Sequence, residues 1–159
     1  MKRIALTLAL LLPLTVAVFA QPGSTPVRSG TASFTFGDSV VKFAKASGTF
    51  TQSAGYTVIM VNFSADGKPT SDHLGISLMI QKPGPVDLNQ PMGNGIGYWK
   101  AGAIYSYEKG KSQCTMTVTK LTPSTVEGTA ECAIVNQQGG SGKNSLTGVK
   151  FYATTSMGS

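Results

Sequence analysis

Charge is scarce in this chain. Asp, Glu, Lys and Arg make up 13% of its 159 residues, histidine and tryptophan occur once each, and cysteine occurs twice. A helical bundle is usually richer in Glu, Lys and Leu, and no amphipathic helical run of useful length follows the first 20 residues. One histidine and two cysteines cannot supply the about four ligands of a structural zinc site. C-x-x-C spacing is absent, which removes the usual motif of catalytic redox chemistry. Disorder is disfavoured by the apolar alternating segments that recur along the chain. What is abundant is glycine, at nineteen residues, with eight prolines and many Ser and Thr. That is the makeup of a loop-rich β domain.

Lys2 and Arg3 precede an uncharged apolar run from Ile4 to Ala20, ending Val18-Phe19-Ala20. The pattern predicts a secretory signal peptide over residues 1–20, cleaved after Ala20. An uncleaved anchor is disfavoured, because the run contains Pro13 and is marginal in length for a span. No transmembrane anchor is expected after processing, and the mature protein is expected to be secreted or periplasmic. Residues 21–30, rich in Pro, Gly, Ser and Thr, read as a flexible segment before a single β domain over 31–159. Losing Lys2 and Arg3 lowers the formal charge from +6 to +4, eleven cations against seven carboxylates. Those cations are ten lysines and Arg28, scattered singly apart from Lys109 and Lys111. Nucleic-acid recognition favours a clustered basic stripe with Arg prominent, so a nucleic-acid partner is not expected.

Short β-prone runs alternate with turn clusters, as in sandwiches and barrels. Phe34 and Phe36 lead through Gly37-Asp38 into Val40 to Ala44, a hairpin. Tyr56 to Phe63 is apolar on both parities, which predicts a central strand covered on both sides. Leu74, Ile76 and Leu78 share one parity of the next strand, against His73, Gly75 and Ser77. Lys82 to Pro91 carries three prolines and reads as edge or loop. Gly95 to Lys100 and Ala103 to Glu108 form an aromatic hairpin around Ala101-Gly102. Gln137 to Asn144 reads as a flexible loop before a last strand, Leu146 to Thr154.

The segment between the cysteines is the most specific. With Pro123 at the centre of an odd-length turn, Cys114 faces Cys132, Met116 faces Ala130 and Val118 faces Gly128 on one side of a hairpin. Thr115 with Glu131, Thr117 with Thr129 and Thr119 with Glu127 fall on the other. A one-residue slip would destroy all six correspondences. Opposed residues have α-carbons about 4.5 to 5.5 Å apart, so a Cys114–Cys132 disulfide is expected in an oxidising compartment.

Gly128-Thr129-Ala130-Glu131-Cys132, followed by Gly148-Val149-Lys150-Phe151, resembles the closing strands of small exported bacterial β-proteins of unassigned function. The resemblance covers the last third of the chain. It implies an exported β fold and carries no activity with it.

Candidate chemistry is sparse. His73 is the sole histidine available to a triad, and in an extended segment its neighbour Asp72 points to the opposite face. It reads as a strand-end surface histidine. Glu127 and Glu131 share a strand face but stand about 13 Å apart, beyond a glycosidase carboxylate pair. Asp66 and Asp72 flank one loop without calcium-site spacing. The densest aromatic set is Tyr98, Trp99, Tyr105 and Tyr107, which either fills the core or stacks on a ligand. The fold expected is all-β, an antiparallel sandwich or flattened barrel of roughly eight to ten strands with one hairpin disulfide. The function expected is that of a non-enzymatic exported domain with a binding or structural role at the envelope or outside the cell. Its partner would be a glycan, a peptide or an envelope component, and no cofactor or metal is expected. A second reading is a small barrel carrying an apolar ligand among Ile59, Val61, Leu74, Ile76 and Leu78. Hydrolysis stands third.

Overall fold

The computed structural model of the protein describes residues 23–90 and 93–156. The expected signal peptide lies outside the described residues. Twelve strands form among those described: β1 (Ser24–Pro26), β2 (Ser29–Phe36), β3 (Ser39–Phe43), β4 (Lys45–Ser53), β5 (Tyr56–Ser64), β6 (His73–Ile80), β7 (Gly84–Pro85), β8 (Gly95–Lys100), β9 (Ala103–Ser106), β10 (Gln113–Thr122), β11 (Thr125–Gln137) and β12 (Lys143–Thr154). No helix among the described residues is long and apolar enough to cross a membrane. The fold is all-β and antiparallel throughout.

One sheet runs in the order β1-β4-β5-β6-β8-β9-β11-β12-β2-β3, with β10 beside β11 and the two-residue β7 beside β10. The ladder is not closed, yet its two ends belong to one long bent hairpin. From Ser24↔Thr51 to Phe36↔Ser39, paired residue numbers add to 75 on both sides of the bend. Val27 N–H donates to Gly48 O at 2.9 Å in that same register, and Arg28 N–H crosses to Thr154 O at 2.8 Å. At the bend Gly48 takes φ +143°, and a Cβ there would collide with the Met60 carbonyl. Only glycine admits this approach of β4 to β5. The result is a sheet folded onto itself, as in a β-sandwich or flattened barrel.

Period-two alternation decides what faces inward. Phe34 and Phe36 of β2, Ile59, Val61 and Phe63 of β5, and Leu74, Ile76 and Leu78 of β6 are all buried. Val149, Phe151 and Ala153 of β12 join them in a single core. Aromatic rings bridge strands distant in the sheet order. Phe34 and Phe36 of β2 each lie 5.0 Å from Tyr98 of β8, and Phe63 of β5 lies 6.5 Å from Phe151 of β12.

Cys114 and Cys132 are joined in a disulfide, with α-carbons 4.0 Å apart. Cys114↔Cys132 through Val118↔Gly128 pair as expected, but the outer end of this hairpin differs. Its turn is two residues long, Pro123-Ser124 between Thr122↔Thr125, and a bulge between Val118 and Lys120 restores the register. Lys120, rather than Thr119, therefore faces Glu127 and pairs with it at 3.2 Å. Three other expectations need correction. Residues 24–26 and 29–30, expected within a flexible segment, lie in the sheet, because β4 and β12 offer their backbone partners. β5 is covered on one side only, since Met60 on its outward parity is 60% exposed. Both arms of the expected 137–144 loop are ladder, with Asn136↔Lys143 paired and Gln137 N–H donating to Gly142 O at 2.7 Å.

Candidate functional site

The outer face of β5, β6, β8 and β9 is indented where side chains are missing. In register, Asn62, Gly75, Gly97 and Ser106 form one row across the four strands, and Met60, Ser77 and Gly95 form the next. Two adjacent glycines in one row, with a third beside them, leave a trough of about 350 Å³. Trp99 stands at one side, and Asn94, Tyr107 and Gln138 add to the lining. Among the described residues, no Asp, Glu, Lys or Arg lines it.

Trp99 takes its position from the same glycines. A Cβ on Gly75 would lie 2.8 Å from Trp99 Cζ3, and one on Gly97 would lie 3.2 Å from that atom. Neither glycine has positive φ, so both are required by space and not by backbone conformation. The imidazole of His73, opposite Trp99 in register, stacks on the indole with centroids 4.6 Å apart and planes 13° from parallel. His73 was expected at the surface and is only 6% exposed, because this stack covers it. Its Nδ1 lies 2.7 Å from Ser71 O. Asp72, in the bend before β6, is engaged elsewhere, its Oδ1 accepting from Ala101 N–H at 2.8 Å.

The Ala101-Gly102 turn sets the aromatic register. Both residues have positive φ, 49° and 83°, the signature of a two-residue hairpin turn. Tyr98 therefore faces Tyr105 while Trp99 faces Ile104. The four aromatics expected as a set are divided by this alternation. Tyr98 is 3% exposed among Phe34, Phe36 and Phe43, and burial, with the charge of Asp72 adding, pushes its phenol up from 10.0. Tyr105 packs edge-on to Phe36 at 4.9 Å. Only Trp99 and Tyr107 belong to the trough, and the Tyr107 hydroxyl donates to Asn89 Oδ1 at 2.6 Å.

The amides and hydroxyls of the trough differ in availability. Asn94 is committed at both ends, to Met79 N–H at 2.7 Å and Asp87 O at 3.0 Å. Gln138 Nε2 donates to Ser106 Oγ at 2.9 Å, leaving Oε1 to accept. Asn62 and Ser77 are half-buried on the outward parity and face the trough.

The remaining candidates are apart from the trough and from one another. Asp66 Oδ1 closes its own loop by accepting from Lys68 N–H at 2.9 Å, Ser71 Oγ at 2.8 Å and Ser64 Oγ at 3.3 Å. The Lys68 amide, foremost, holds its carboxyl below the ordinary value of 3.8. Glu131 accepts from Gly148 N–H at 3.0 Å, and Glu127 is engaged with Lys120. Ile59, Val61, Leu74, Ile76 and Leu78, the expected lining of a carrier cavity, are 0–2% exposed within the core. The glycines of the trough escaped sequence reasoning. Their signal, Gly75, Gly95 and Gly97 on outward parity, acquires meaning only once β6 is paired with β8.

No protein-family model, curated protein or solved structure matches this chain.

Proposed function

We propose that the protein is an exported, non-enzymatic domain that binds a neutral glycan in the Trp99 trough. One observation carries this reading: an aromatic ring stands beside a glycine-lined depression bordered by amides and hydroxyls, with no ionised group among the described residues of the lining. Pyranose rings present apolar C–H faces that suit stacking on an indole, and their hydroxyls exchange hydrogen bonds with Asn, Gln and Ser. The glycine row seats the Trp99 indole low against the sheet, which keeps the depression open beside the ring.

Two alternatives have less support. Hydrolysis calls for a base oriented by an acid, whereas His73 lies against Ser71 O and Trp99 while Asp72 caps Ala101. An apolar cargo would have to displace side chains that already fill the interior. The disulfide fits the oxidising compartment that an exported protein meets.

Trp99 is the sole tryptophan, so its emission reports on the trough alone. Titration with neutral xylo-, gluco-, manno- and chito-oligosaccharides should shift that emission saturably for at least one series. Asn62→Ala should weaken the same binding several-fold without unfolding the protein. No emission change and no heat of binding with any series would sink the reading.

A further inference from the structure

A second groove, of about 590 Å³, opens on the outer face of β11, β12, β2 and β3. Its chemistry is unlike that of the trough. Thr129, Lys150, Ser33 and Lys42 stand side by side on these four consecutive strands, each paired in register with the next. Glu127, Tyr152 and Thr31 form the adjoining row. Lys42 and Lys150 are 108 residues apart in sequence but only two strands apart in the sheet, a backbone separation of about 10 Å. Flexible four-carbon stems allow both ammonium groups to converge above Ser33.

Neither lysine has a carboxylate within ion-pair distance among the described residues, whereas the one carboxylate lining the groove, Glu127, is engaged by Lys120. The groove thus holds two uncompensated positive charges and one compensated negative charge, with hydroxyl donors from Thr31, Ser33 and Thr129. Those donors project from β2 and β11, on either side of the strand that carries Lys150, and so approach the groove from two directions. This arrangement suits an anion with oxygens in several directions, contacted by point charges, better than a planar carboxylate, which arginine's flat fork would match.

We propose that this groove binds a tetrahedral oxyanion, the phosphate or sulfate ester of a larger ligand, between Lys42 and Lys150. The proposal is independent of the Trp99 trough. Fluorescent dextran sulfate, followed by anisotropy at fixed ionic strength, is the probe. It should bind the full folded chain, and neutral dextran should not. Lys42→Gln and Lys150→Gln should each weaken binding about tenfold, and the double substitution more. Lys143→Gln removes the same charge at an exposed position outside the groove and should change affinity less than threefold.

Inorganic phosphate and inorganic sulfate, added separately against a chloride control of equal ionic strength, distinguish the two esters. Displacement by phosphate alone assigns a phosphate ester, displacement by sulfate alone a sulfate ester, and displacement by both the chemistry they share. Displacement by neither overturns the proposal. So does absence of binding, or a loss with Lys143→Gln equal to that with Lys42→Gln. The three lysine positions are exposed, and their side chains carry no hydrogen bond among the described residues, so unchanged melting temperatures should accompany each substitution.

Discussion

Trp99 is held where it is by what its neighbours lack. Gly75→Ala should push the indole off the sheet, because the new Cβ would lie 2.8 Å from Cζ3; the expected readings are a shifted emission maximum and weakened glycan binding. Retention of both would mean that the ring has another seat. A different kind of constraint operates at Ala54, which occupies the left-handed region at φ 49° in the turn before Gly55. Asn tolerates that conformation better than Ala. Ala54→Asn should therefore stabilise the fold by up to about 1 kcal/mol, measured as an upward shift in melting temperature. Asp66 adds a pH dependence. Its pKa is lowered in the folded protein, so its contribution is present above the ordinary carboxylate value of 3.8 and lost as pH falls through the lower folded value. Asp66→Asn should lessen the loss of stability in that acid range, while the wild type keeps the steeper fall. An identical pH profile for the two proteins would remove Asp66 from the acid response.

In the β10–β11 hairpin, two devices hold one register. The disulfide closes a separation of 18 residues, and its loss in Cys114→Ala with Cys132→Ala should cost about 3 kcal/mol while the β-sheet spectrum persists. The bulge beside Thr119 reconciles a two-residue turn with the cysteine pairing. Deleting Thr119 should straighten β10 and leave the disulfide intact, as intact mass before and after reduction would record; two free thiols would contradict this account. Cys114↔Cys132 could be read from sequence because large inward residues oppose small ones over five positions. The bulge could not. A one-residue irregularity leaves no mark on an alternation already polar at Thr119 and Lys120. The outward face of β5 is illegible for a related reason, since Met60 and Val58 have the composition of a covered face, and only the folded sheet reveals that Met60 is exposed.

The sheet as a whole depends on the bend that joins its ends. Gly48→Ala should destabilise by roughly 2 kcal/mol or more, because the added Cβ meets the Met60 carbonyl where β4 crosses β5; chemical denaturation would measure it, and an unchanged midpoint would show that the bend can relax. The strands themselves were readable from alternation, but their order was not, as pairing between distant segments carries little local signal. Both grooves belong to that hidden part. The trough needs β6 beside β8, and the lysine pair needs β12 beside β2 and β3. The same neighbourhood governs the course of folding. Ser29 of β2 pairs with Thr154 of β12, so a chain synthesised from its amino end presents one side of β2 long before the complementary strand exists. Contacts so distant along the chain slow the approach to the native state. Until β12 arrives, the unfinished molecule carries an open backbone edge beside Ala32 and Phe34, available to any other extended chain, and its refolding yield should fall steeply with protein concentration.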